Sequence, residues 1–107
     1  MRRSDDFAET VRRGRRAGRG SVVLHYLAPP PDPAPPPTRV GFVVGKAVGG
    51  SARRHRVARQ LRHLVRDRLD RLPAGARLVV RAQQNAYGRP SQDLGHDLDA
   101  ALDRILR

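Results

Sequence analysis

The chain has 107 residues, with 22 lysines and arginines against 10 aspartates and glutamates, a net charge of +12 and a sequence pI near 11.8. That length supports one core and not two, and the absence of cysteine excludes disulfides and thiolate zinc sites. The charge makes a polyanion the expected partner class.

All but Lys46 of the basic residues are arginine. GC-rich codon usage produces that bias unaided, so where each arginine stands matters more than its identity. No run has transmembrane length, and "MRRSDDFAETVRR" lacks the apolar core of a signal peptide. The expectation is a soluble, cytoplasmic protein with no membrane partner.

In chain order, "RRSDDFAETVRRGRRAGRG" predicts a short helix. Ser4 is placed to cap it, and Asp5, Asp6 and Glu9 suit the positive end of its dipole. Phe7 and Val11, four apart, share a face. "SVVLHYLA", residues 21–28, is rich in β-branched and apolar side chains and predicts a strand. "PPPDPAPPP", residues 29–37, cannot join a ladder and predicts an exposed, polyproline-like connector. A second strand is expected around Arg39 to Gly45.

Within residues 52–72, Val57, Leu61, Leu64, Val65, Leu69 and Leu72 fall on one helical stripe, with Arg56, Arg59, His63 and Arg66 opposite and Arg62 at the flank. "PAG" at 73–75 is expected to stop that helix. "ARLVVRAQ", 76–83, predicts a third strand. In "SQDLGHDLDAALDRILR", Leu94, Leu98, Leu102 and Ile105 predict a core-facing helix with an acidic exterior. The pattern implies helices packed on a small sheet, an α+β two-layer sandwich containing a β-α-β unit.

Charge is unevenly spread: residues 1–20 carry +4, 21–45 zero, 46–68 +7 and 69–107 +1. A solvated basic face held by local ion pairs needs acids three or four residues away, and the segment offers Asp67 with Asp70 just beyond. Cationic density of this kind repels itself until phosphate neutralises it, so one nucleic-acid-binding domain over residues 1–107 is the reading, with RNA and DNA both open at this point. Phe7, Tyr26, Phe42 and Tyr87 are too few for a multi-base platform and allow one or two stacked bases.

Motifs for protein-borne catalysis are missing, with neither a GxSxG elbow nor an HExxH pair, so no catalytic residue is assigned. His25, His55, His63 and His96 lack the i, i+4 spacing that aims two ligands at one metal, and no metal site is assigned. "GKAVGGSARR" lacks the GK[ST] of a phosphate loop. Gly49, Gly50 and Ser51 nonetheless precede a helix whose free amides suit a phosphate, with Lys46 before them and Arg53, Arg54 and Arg56 after.

"RVGFVVGKAVGGSARRHRVARQLRHLVRD", residues 39–67, resembles the signature of the bacterial ribonuclease P protein subunit. That family has a lysine-rich S-K-K-V-G segment followed by A-V-x-R-N-R-x-K-R-x-x-R-E on a helix. Lys46, Val48 and Gly49 match the first part, and Arg54, Arg56, Arg59 and Arg62 the second. "SDDFAETVRRG" and "LPAGARLVVRAQQNA" resemble its flanks. His55 stands for the usual asparagine, Ala58 and Gly50 for lysines, His63 for glutamate and Val11 for an aromatic.

The resemblance implies a protein that assists a catalytic RNA in cleaving precursor tRNA at its mature 5′ end, with magnesium at the RNA active site. It implies that Lys46, Arg54, His55, Arg56, Arg59 and Arg62 contact the catalytic RNA. Arg53 and Arg66 extend that basic surface. Phe7, Val11 and Arg12 would line a cleft for the single-stranded 5′ leader. It further implies a mostly antiparallel four-stranded sheet, helices on one face, a left-handed crossover and a free monomer. The alternatives are a ribosomal-protein-like RNA binder without enzymatic association, and a dimeric DNA-binding protein using the arginine helix in a major groove.

Overall fold

A computed structural model describes residues 3–107, with side chains from Asp6 onward. Helix α1 (Arg3–Arg13) leads into strands β1 (Arg15–Arg19), β2 (Val22–Leu27) and β3 (Arg39–Val43). Helix α2 (Ser51–Arg66), strand β4 (Arg77–Ala82) and helix α3 (Ser91–Ile105) follow. The sheet order is β1-β2-β4-β3, with β1/β2 and β2/β4 antiparallel and β3/β4 parallel, so β3-α2-β4 is the expected β-α-β unit. None of the described helices is long and apolar enough to cross a membrane.

Strand β1 is the element that sequence patterning misses. In "RRAGR" only Ala17 is buried, because β1 is an edge strand whose arginines stay in water. Its turn into β2 depends on Gly20, at φ 55°, where a Cβ would lie 2.5 Å from the Asp97 carboxylate. Asp97 accepts hydrogen bonds there from the Ser21 amide at 2.9 Å and hydroxyl at 2.7 Å.

Strand pleating sorts side chains onto two faces. Ala17, Val22, Leu24, Leu78 and Val80 pack with Val57, Leu61 and Val65 of α2 and Leu94, Leu98, Leu102 and Ile105 of α3 in one core. Helices α2 and α3 therefore share a face, as expected. Helix α1 does not join them: it lies across the other face, where Phe7 sits over Gly41 and Asp6 meets Arg39 and Arg77. Gly41 makes room for that ring, because a Cβ there would overlap it.

Helix α1 starts at Arg3, ahead of Ser4, and the proposed roles of the Ser4 and Asp5 side chains lie outside the described residues. Helix α2 ends at Arg66, short of residue 72. Arg68 donates to the Leu64 carbonyl at 2.8 Å, satisfying a group that a longer helix would have used internally. Leu69, assigned to the apolar stripe, is consequently 43% exposed, while Leu72 still reaches the core. The proline connector is largely exposed, and Pro29 and Pro35 rest against Gly75 in the turn before β4.

Candidate nucleic-acid interface

Ion pairing divides the arginines into two populations. Arg68 reaches Asp99 at 2.5 Å, Arg71 reaches Asp103 at 2.6 Å and Arg89 reaches Asp97 at 3.4 Å. The acidic exterior of α3 thus neutralises the arginines beside it. Arg68's hydrogen bond holds the Asp99 carboxyl below its ordinary pKa. Burial opposes charge on Asp97, but the Ser21 hydroxyl and amide, with Arg89 and Arg19 nearby, outweigh it and hold its pKa low as well.

On the opposite sheet face, Asp6 accepts from Arg39 at 2.6 Å and from Arg77 at 3.0 Å, and Glu9 pairs with Arg77 at 2.6 Å. Beyond the dipole role that the sequence suggested for Asp6 and Glu9, both carboxylates fasten α1 to the parallel strands. Arg39 and Arg77 are register partners across β3 and β4, a juxtaposition invisible until the strands are paired.

Among the described residues, no carboxylate pairs with Lys46, Arg53, Arg54, Arg56, Arg59, Arg62 or Arg66. His55, Arg56, Arg59, Arg62, His63 and Arg66 are exposed on the outer side of α2. Arg54 and Arg53, at the start of the helix, are held differently. Arg54 is half-buried, its Nε without a hydrogen-bond partner, in a slot of about 290 Å³ shared with Phe42, His55 and Arg62. Arg53 instead turns toward Tyr87.

The start of α2 adds to the cationic character. Gly50 occupies the cap position without a capping side chain, and the first turn holds no acid, so its amides keep their partial positive charge. Lys46 is exposed on a short 3₁₀ turn (Lys46–Val48) anchored by buried Val48.

Between α1 and the sheet lies a cleft of about 680 Å³, with Phe7, Thr10, Phe42 and Val79 in its lining and Arg62 reaching in from α2. Phe7 stands where the sequence placed it. Val11, at 36% exposure, and Arg12 sit on the exposed side of α1 and are not part of that lining. Behind α1, His25 is buried with its Nδ1 unbonded; burial, then the Arg81 and Arg16 charges, lowers its pKa.

The Ribonuclease P family model matches residues 1–106. The ribonuclease P protein component of Streptomyces bikiniensis is 55% identical over 111 residues, covering 99% of this chain and 90% of that protein. The one from Salinispora tropica is 53% identical, covering 95% and 86%. In fold, the chain matches the Staphylococcus aureus RNase P protein with a TM-score of 0.80 at 16% identity, covering 100% of this chain and 96% of that one. The Thermotoga maritima RNase P protein gives 0.80 at 22% identity, covering 98% and 96%. The family match over nearly the whole chain, and relatives this similar at nearly full length, place the chain in the ribonuclease P protein family.

Proposed function

We propose that this ribonuclease P protein component serves tRNA 5′ processing by binding two RNAs at once, the catalytic RNA on the outer side of α2 and the 5′ leader of precursor tRNA in the cleft beneath α1. The observation that carries this reading is Arg62, a guanidinium without a carboxylate partner among the described residues, which lines both the cleft and the slot beside Arg54 and His55. The basic surface and the cleft therefore adjoin.

Lys46, Arg53, Arg54, His55, Arg56, Arg59, Arg62 and Arg66 supply the catalytic-RNA contact on this reading. Their mutual repulsion in the free protein is relieved when phosphates replace the counterions. In the cleft, Arg39 and Arg77 are already neutralised by Asp6 and Glu9, which leaves Arg62 to meet a leader phosphate while Phe7 and Phe42 offer flat apolar surface to sugar and base.

Phosphodiester hydrolysis belongs, on this reading, to the RNA and its magnesium ions. On this reading the protein supplies no ligand to those ions, and the two carboxylates nearest the cleft, Asp6 and Glu9, are held by arginines instead. The free protein acts as a monomer and works in the cytoplasm. Reconstitution with the catalytic RNA at low magnesium tests the reading. Addition of the protein should accelerate removal of the leader from precursor tRNA, and an unchanged cleavage rate would overturn it.

A further inference from the structure

Three of the four aromatic side chains are accounted for by the core or the cleft: Tyr26 is 7% exposed, and Phe7 and Phe42 line the cleft. Tyr87 is different, at 37% exposure on the connection between β4 and α3. That connection is firmly held. Ala86, next to the tyrosine, is fully buried and donates its amide to the Gln83 carbonyl at 3.0 Å. From α2, the Gln60 side chain donates to the Arg89 carbonyl at 3.3 Å and the Ser91 hydroxyl at 3.1 Å. The ring is fixed beside the first turn of α2.

The guanidinium of Arg53 lies 4.6 Å from the Tyr87 ring centroid. Its aliphatic stem crosses Gly49, which has φ 145° and where a Cβ would fall 2.6 Å from the Arg53 Cδ. A side chain at residue 49 would displace that stem. Glycine there leaves room for the stem, and the docked loop holds the ring that the guanidinium reaches. Gly49 also donates its amide to the Lys46 carbonyl at 3.1 Å, so the pair stands next to the turn that bears exposed Lys46 and to the uncapped start of α2, and Arg53 has no carboxylate partner among the described residues.

We propose that Tyr87 and Arg53 form a nucleobase-stacking site at the N-terminal end of α2, which takes one unpaired base of the catalytic RNA. The inference rests on the reading that α2 meets that RNA. A partly open aromatic ring and a planar guanidinium both present flat surfaces to a base, and stacking of this kind tolerates any base. The phosphates flanking the stacked nucleotide meet Lys46 and the first-turn amides, so stacking and backbone contact occur together. A pair serving only to hold the loop would need neither the exposure nor the unneutralised surroundings.

The test is equilibrium binding of the full-length protein to ribonuclease P RNA across a salt series, at a temperature where circular dichroism shows each variant folded. Tyr87→Ala should weaken binding by about ten-fold with the log-affinity versus log-salt slope unchanged, because tyrosine carries no charge. Tyr87→Phe should retain wild-type affinity within about two-fold. The sequence contains no tryptophan, so Tyr87→Trp adds a single reporter whose emission should be quenched when the RNA binds. Unchanged affinity for Tyr87→Ala, whether or not its melting temperature falls, would overturn the stacking site, as would Tyr87→Trp emission indifferent to bound RNA. Failure of the wild-type protein to bind would instead remove the underlying reading of α2.

Discussion

Arg77 donates to the buried carboxylate of Asp6 at 3.0 Å, and that contact ties the first helix to the last strand. Arg39 completes the fork from the neighbouring parallel strand at 2.6 Å. One wall of the cleft is therefore held by charge as well as by the packing of Phe7 on Gly41.

Asp6→Ala should destabilise the fold by about 2 kcal/mol, because it leaves the partly buried Arg77 short of an acceptor. Chemical denaturation measures this directly. Reduced protease resistance within residues 3–13 should accompany it, since α1 loses its anchor. A change below about 0.5 kcal/mol would show that apolar packing alone holds α1.

Stability should fall with acidity in two windows. The pKa of His25 is lowered from the usual 6.5 by burial and then by the Arg81 and Arg16 charges, so the unfolded chain binds its proton first as pH drops. The contribution is complete above 6.5 and is lost as pH falls from there through the folded-state value. Asp97 and Asp99 are held below the usual 3.8, so their contribution is present above that value and disappears as pH falls through their folded-state values. Denaturant midpoints measured from pH 8 to pH 3 should show both declines. His25→Phe should remove the upper one and spare the lower, and an upper decline that survives the substitution would assign it to another group.

Joint replacement of Arg54, Arg56 and Arg59 by alanine should flatten the log-affinity versus log-salt slope for catalytic RNA by about two units, at roughly 0.7 to 0.9 per lost phosphate contact. Filter binding between about 50 and 200 mM salt measures it. The ion pairs of Arg68, Arg71 and Arg89 predict a contrast: replacing those three with alanine should lower stability and leave the slope nearly unchanged. Equal slopes for wild type and the first variant would move the interface away from α2.

Most of the fold was legible in the chain. The β-branched and apolar runs of "SVVLHYLA" and "ARLVVRAQ" and the leucine spacing of the last segment marked elements that are largely buried. β1 escaped because an edge strand with one buried residue has no such signal. The end of α2 was overestimated because Leu69 continues the arithmetic of the stripe, while a tertiary contact from Arg68 to Asp99 and a hydrogen bond back to Leu64 break the helix first. The spacing of Arg54, Arg56, Arg59 and Arg62 relative to Lys46 and Gly49 was readable in the chain, whereas their lack of carboxylate partners among the described residues was not. The cleft was half readable: Phe7 lies in it with Asp6 and Thr10, whereas Val11, four residues from Phe7, falls at the exposed edge of that face and Arg12 beyond it, because spacing alone does not fix how a helix is rotated against the sheet.

The sequence by itself determined a basic protein with one core, an amphipathic helix bearing more arginine than its neighbouring acids can neutralise, and a motif shared with the ribonuclease P protein family. Tertiary structure alone decided which arginines, among the described residues, have no carboxylate partner, because Asp6, Glu9, Asp99 and Asp103 reach arginines far away in the chain. It also decided that α1 crosses the face opposite α2, and that Tyr87 meets Arg53. Periodicity is a local property recorded in every few residues, whereas ion pairing and cleft formation depend on contacts that exist only once the strands have been paired.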